Sequence, residues 1–417
     1  MEKSGKFRLT SLERNWILYD VGNSAFVLMV ATLIPIFFNA LAAAGGLSSV
    51  EYLAYWGYAS SAVTIITAVL SPILGTVADT KGFKKPIFIL CVFVGIVGCC
   101  AMGAVSAWLP FLVIFVIAKV GFSGSLVFYD SMLSDVTTPD RMDEVSSRGY
   151  AWGYIGSCVP FVVCLGLVLG AGSIGISQMT ALNLALLLTA AWWLLTTLPL
   201  LKSYKQLYYV EVEKHAVRQS FARIGHTLRH LPEDKQVFWF LLAFFCYIDG
   251  VYTIIDMATA YGTALGLDTT GLLLALLVTQ IVAFPSALVF GRLSNKYPSA
   301  KLIPVCIAAY AGIAVFAFFL TRQWQFWVLA VIVGMFQGGV QALSRSHFAK
   351  IIPPEKSGEY FGLFDICGKG ASFLGTMIVS VGSQLTGSAN VGVGSLIVLF
   401  IVGFVLFRVS CRQGETA

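Results

Sequence analysis

Lys119, Asp130, Asp249, Asp256, Asp365 and Lys369 are ionisable side chains set inside long apolar runs of a 417-residue chain. A charge at the middle of a bilayer costs roughly 2.5–3.5 kcal/mol on insertion scales, so each marks a place where charge is used or neutralised. Lys119 and Asp130 are eleven residues apart, about three helical turns, and share a face that can line a bundle interior. Asp249 and Asp256 share a face at a separation of seven, with no base on the same segment to pair with. Asp365 precedes Lys369 by four, the favourable order for a pair within one helix. Gln337 and Gln341 share another face, with Arg345 one turn further on, where it could brace a gate or snorkel. Asp20, near the start of the first segment, suits a gate or a helix terminus, and Asn23 lies one turn beyond it. Burial raises a carboxyl's affinity for protons and a nearby cation lowers it, so groups that change separation can trade protons. On that reading Asp249 or Asp256 binds a proton in one conformation and releases it in another, as Lys119 or Lys369 moves relative to it.

Other chemistries find little support. The nine cysteines have no paired spacing of a disulfide framework or zinc site and read as small apolar fillers. The four histidines form no HExxH-type pair, so no metal centre is expected. Gly368-Lys369-Gly370 superficially suggests a phosphate loop, but Gly362 is one residue too far, no Ser or Thr follows the lysine, and the stretch lies in an apolar run. Neither a cofactor nor an enzymatic activity is expected.

The elements that must position these groups follow from composition. With 58% hydrophobic and 12% charged residues and a mean hydropathy of +0.83, the solvent for most of the chain is lipid. Apolar segments long enough to cross a bilayer fall at 16–40, 53–78, 86–106, 109–134, 149–171, 178–200, 236–262, 270–291, 301–320, 325–346, 360–385 and 391–408. All but three of the 27 Lys and Arg lie in the termini and in alternate connections. That asymmetry predicts both termini in the cytoplasm and explains the net charge of +6 without a nucleic-acid partner. Residues 202–235 are the one long polar connection, dividing a six-span unit at 1–201 from another at 236–417. Within it Val217, Phe221, Ile224, Leu228 and Leu231 recur at helical spacing, predicting a helix on the inner membrane surface. Glycine pairs at Gly149/Gly153, Gly166/Gly170 and Gly334/Gly338 predict close packing between spans.

The halves also match each other: Gly75-Thr-Val-Ala-Asp79 after the second span corresponds to Gly291-Arg-Leu-Ser-Asn295 after the eighth, and Pro139 to Pro353. Parallel repeats of this kind build the two bundles of secondary transporters. Together with Gly75-Thr-Val-Ala-Asp79-Thr-Lys-Gly82-Phe-Lys84-Lys85, the 6+6 plan resembles the major facilitator superfamily and its loop between the second and third helices. Thr80 and Phe83 stand where bases are usual, and the second-half copy has Asn295 for the acid. Trp16-Ile-Leu-Tyr19-Asp20-Val-Gly-Asn23-Ser24, Tyr247-Ile-Asp249-Gly250, Gly338-Gly-Val-Gln341-Ala-Leu-Ser344-Arg345 and Tyr360-Phe-Gly362-Leu-Phe-Asp365-Ile-Cys-Gly368-Lys369 resemble its vacuole-effluxer branch. The resemblance implies an all-α integral membrane fold of twelve transmembrane helices in two six-helix bundles. It also implies solute transport and, by the branch name, amino-acid efflux. A cytoplasmic gate is expected at Asp20, Gly75, Asp79, Gly82, Lys84, Lys85, Gly291 and Arg345. In that gate Asp79 acts as a clasp that holds the outward-open state.

The expected function is therefore secondary active transport of a small polar solute, an amino acid by first preference, coupled to protons. The expected setting is a bacterial plasma membrane. The alternatives are a lipid or amphiphile exporter, and a non-transporting sensor or scaffold on the same fold. Oligomeric state is left open.

Overall fold

The computed structural model describes residues 7–211, 225–227 and 229–416, with the side chains of some helical stretches, 369–373 among them, outside the description. Twelve long helices dominate: α1 (Ser11–Ala31, resuming as Leu33–Ala44), α2 (Ser49–Ala78), α3 (Lys84–Met102), α4 (Trp108–Ser131), α5 (Met142–Leu169), α6 (Gln178–Ser203), α7 (Lys235–Ala264), α8 (Thr269–Ser294), α9 (Ser299–Phe318), α10 (Gln323–Ile351), α11 (Ser357–Thr386) and α12 (Ile397–Thr416). Among the described residues, eleven helices are long and apolar enough to cross a membrane by length and composition. The twelfth, α11, is 30 residues long, carries Glu359, Asp365 and Lys369, and packs between α2 and α7. No strand occurs among the described residues. The chain is a multi-pass integral membrane protein.

Local sequence explains the boundaries. Thr10 and Glu13 exchange side-chain and backbone hydrogen bonds to cap α1, and Ser48 with Glu51 does the same for α2. The break in α1 follows from Pro35, which has no amide hydrogen for the carbonyl four residues back. At the break Thr32 turns its hydroxyl to the Leu28 carbonyl at 2.5 Å. Side chains such as Val69, Leu90, Phe93, Val113, Val305 and Val405 stay exposed on the bundle exterior, which only lipid tolerates in such number.

Within the first half α1 packs on α5 and α6, α3 on α4 and α6, and α2 on α4. Within the second, α7 packs on α11 and α12, α8 on α10, and α9 on α10 and α12. The repeat survives at atomic detail. Tyr19 on α1 shares a 2.6 Å hydrogen bond with Ser125 on α4, and Tyr247 on α7 shares one of 2.6 Å with Ser344 on α10. Between the halves, α2 packs on α11, and α5 on α8 and α10.

Of the three glycine pairs, Gly149 and Gly153 pack against α1, and Gly334 and Gly338 against α8. Gly166 faces open space and Gly170 meets only the Gly166 carbonyl, so the third pair packs no neighbouring helix, contrary to the sequence expectation. Of the connection between halves, Asp135 fastens the first part: it accepts from Tyr204 Oη at 2.6 Å, Leu207 N at 3.0 Å and Tyr208 N at 2.9 Å. The expected surface helix falls largely on residues 212–224 and Leu228, which lie outside the described residues.

Candidate functional site

The ties between the halves begin where α2 ends and α11 starts, on the side that bears the termini. Asp79 caps α2 and accepts from the first amides of α11, Gly358 N at 2.7 Å and Glu359 N at 2.8 Å. A carboxylate at a helix N-terminus satisfies amides that have no partner within the helix. Lys84, fully buried, donates to Ser357 at 2.8 Å and stands 3.7 Å from Asp79 and 3.5 Å from Asp135. Burial pushes the Asp79 carboxyl up to about 7, against the lowering pull of Lys84 and the two amides. Gly75 permits the approach, since a Cβ there would fall on the Gly358 carbonyl. Gly82, at φ 80°, turns the loop and donates its amide to Gln206 at 3.0 Å. Lys85 makes no ion pair among the described residues.

The repeat places a second tie where α8 meets α5. Asn295 stands where the first half has Asp79, and it donates to Glu144 Oε2 at 2.6 Å. The acid here sits on the opposite helix and the amide on the loop, so the contact is kept with its polarity reversed. Gly291 packs on Ser147, whose Cβ a Gly291 side chain would approach to 2.8 Å. Alongside, Lys350 and Ser346 of α10 hold Asp143 of α5 at 2.7 and 2.6 Å.

Deeper in the bundle, Arg345 of α10 crosses to the first half. Its Nε donates to Ser146 Oγ at 2.9 Å, Nη2 to the Ser146 carbonyl at 3.0 Å and Nη1 to Asp130 Oδ1 at 2.9 Å, with Asp20 Oδ2 3.9 Å away. The guanidinium lies over Trp16, Tyr129 and Tyr150, its carbon 4.7, 5.4 and 4.3 Å from their ring centres. Asn23 is buried beside Asp20, 3.5 Å from its Oδ1. Tyr154 donates to Gln341 at 2.6 Å, again between halves, and Ser71 of α2 to Asp365 of α11 at 2.7 Å. Gln337 is buried one turn along from Gln341.

Further from the termini, Lys119 and Asp256 face each other across the halves within electrostatic reach. Lys119 also lies 4.6 Å from the Phe122 ring centre. Asp256 keeps accessible surface while lying within electrostatic reach of Lys119 of the other half. Tyr252, one turn from Asp256, lies within reach of Asp130, Asp365 and Arg345. Asp20 of α1, Asp130 of α4, Tyr252 of α7 and Arg345 of α10 thus lie close together where the halves meet.

Asp249 is not part of this set. Fully buried, it accepts from Gly375 N at 2.9 Å and from Thr253 at 3.3 Å, which places it in the seam between α7 and α11. Seven residues put Asp249 and Asp256 on one face but at different depths, and α11 covers only the first. The Lys369 side chain lies outside the described residues. The sequence reading passed over Tyr150, Ser146, Asp143 and Glu144, which cluster at the start of α5. Their signal was Gly149 and Gly153, small residues that let α1 and α10 come close enough for neighbouring polar groups to meet.

Residues 11–416 match the sequence profile of the family described as vacuole effluxer Atg22 like. The chain belongs to this family. It is 42% identical over 98% of its length to a Bacillus subtilis protein named an uncharacterized MFS-type transporter, YxiO, of which it covers 97%. It is 28% identical over 58% of its length to autophagy-related protein 22 of Saccharomyces cerevisiae, of which it covers 53%. The chain spans about half the length of such fungal family members. The fold is that of the major facilitator superfamily. The human organic anion transporter MFSD10 superposes with a TM-score of 0.71 at 15% identity, covering 95% of this chain and 99% of that one. FucP in its outward conformation gives 0.71 at 16% identity, covering 96% and 97%.

Proposed function

We propose that this member of the vacuole effluxer family is a secondary transporter that moves a small polar solute, an amino acid by first choice, by proton-coupled alternating access. The observation that carries the reading is that α1, α4, α7 and α10 bring charged and polar groups together between the halves, tied on the terminus-bearing side, while Asp256 further along keeps accessible surface. Rocking of two repeats about a central site is how this architecture exposes it alternately to each side. Lys119 and Asp256 offer both signs of charge across the halves, as the carboxylate and ammonium of a zwitterion require. Coupling is assigned to Asp256 rather than Asp249, because Asp256 faces a cation across the halves whereas Asp249 lies in the seam between α7 and α11, its Oδ1 holding the Gly375 amide. The distribution of Lys and Arg supports the terminus-bearing side as the cytoplasm of a bacterial plasma membrane, which makes this conformation outward-facing. The relatives' transporter names and the match to a transporter in an outward conformation support the same reading.

The test is flux in proteoliposomes holding the purified full chain, with labelled amino acids, peptides, nucleosides and sugars under an imposed pH gradient. Wild-type protein should accumulate an amino acid until a protonophore collapses the gradient, and Asp256→Asn should exchange that solute without accumulating it. Accumulation by Asp256→Asn at the wild-type level contradicts the assignment of coupling. Movement of amphiphiles alone contradicts the polar-solute reading.

A further inference from the structure

Arg345 belongs to the second half, yet Trp16, Asp20, Tyr129, Asp130, Ser146 and Tyr150, which surround its guanidinium, all belong to the first. The walls are fixed without it: Trp16 stacks on Tyr129 with ring centres 4.3 Å apart and donates Nε1 to the Tyr129 carbonyl at 2.9 Å. Three aromatic faces and two carboxylates are the groups that recognise a planar or compact organic cation. The cage also holds more acceptor than Arg345 uses. Asp20 is 6% exposed, and its Oδ2 points at the guanidinium from 3.9 Å, beyond hydrogen-bond reach of it, with the Tyr129 hydroxyl beside the carboxylate. Gly149 leaves the floor open, since a Cβ there would lie 3.1 Å from Arg345 Nη2, Asp20 Oδ2 and the Trp16 ring alike.

We propose that this first-half cage is a binding site for a solute carrying a guanidinium or primary ammonium group, filled here by Arg345 and vacated when the halves part on the terminus-bearing side. The proposal rests on the transport reading for that parting. Once Arg345 withdraws with α10, Asp20 and Asp130 face each other beside three rings with no counter-charge, an arrangement that draws in a cation. Arg345 then acts as a built-in competitor: its return expels the bound cation and closes that side. The solute's charged group and the arginine occupy the same cage in turn.

The experiment is binding of methylguanidinium to purified full-length Arg345→Ala, followed by thermal unfolding, with urea as the uncharged isostere and sodium chloride as the ionic-strength control. Methylguanidinium should raise the unfolding temperature saturably in the millimolar range, and adding Asp130→Asn should weaken binding about tenfold. A response no larger than that to urea and sodium chloride overturns the proposal. If Arg345→Ala does not purify folded, hydrogen exchange of the wild-type protein decides. Methylguanidinium that captures the cage must speed exchange of the Gly358 and Glu359 amides, which Asp79 holds in the closed state. Unchanged or slower exchange overturns the proposal. Failure here with solute flux intact removes the cage as a cation site and leaves transport standing. Saturable binding by a protein that moves no solute keeps the site and removes transport.

Discussion

Asp79 carries the clearest single-residue consequence. Its carboxylate accepts two amides at the start of α11, an arrangement worth about 1–2 kcal/mol in helix capping. Asp79→Ala should shift the closed state toward the open one by about 5–30-fold, read as faster exchange of the Gly358 and Glu359 amides. Unchanged exchange would remove the clasp. The same residue sets a pH dependence whose sign follows from burial. Its carboxyl titrates near 7 in the closed tie and would return to the ordinary carboxylate range once solvated, so closing takes up a proton. Closure is favoured at low pH and lost as pH rises through about 7. Asp79→Asn should flatten that dependence in the same exchange measurement. For Arg345, substitution by lysine keeps the charge but loses the plane that stacks on Trp16 and Tyr150 and the fork that reaches Ser146 and Asp130. Each hydrogen bond to a charged group that is lost typically costs about 1.5–3 kcal/mol. Arg345→Lys should therefore lower the unfolding temperature clearly, whereas Lys85→Arg, at a position with no ion pair among the described residues, should leave it unchanged.

At the level of elements, closure depends on how closely α2 meets α11 and α5 meets α8. Gly75→Ala would push a methyl into the Gly358 carbonyl, and Gly291→Ala would crowd Ser147, so each should penalise the closed state by about 1–3 kcal/mol. Solvent labelling of a cysteine placed at Ser357, buried at the seam, should rise in both variants; labelling at the wild-type rate would mean that the helices part elsewhere. Much at this scale was legible in the sequence, because bilayer thickness fixes span length and the matched Gly75 and Gly291 segments reveal the repeat. The reversed tie was not legible. Asn295 departs from the loop's acidic pattern, and only the packing of α8 on α5 shows that Glu144 supplies the missing carboxylate from the other side. Nor could spacing separate Asp249 from Asp256, since helical phase fixes direction but not which neighbouring helix covers a side chain. The crossing of Lys119 to Asp256 and of Asp130 to Arg345 is likewise a property of how two bundles face each other, which periodicity within one helix does not encode.

For the whole molecule, the arrangement has two kinds of contact between halves. Near the termini they are short and mutually satisfied: Asp79 with α11, Asn295 with Glu144, Arg345 with Asp130. Further away, Lys119 and Asp256 lie within electrostatic reach across the halves, and Asp256 keeps accessible surface. Satisfied polar contacts that dissolve together and re-form are what a two-state rocking motion needs, because packed interfaces are bistable rather than continuously deformable. The central claim is that these ties break as a set. The most direct measurement is the distance between spin labels at Lys81, in the loop after α2, and Glu355, just before α11, both exposed, in a background whose native cysteines are replaced. The labels should report two separations in slow exchange, the short one dominant in wild-type protein at low pH, with the long one gaining on raising pH or introducing Asp79→Ala. A single short separation that persists through both changes would contradict the claim.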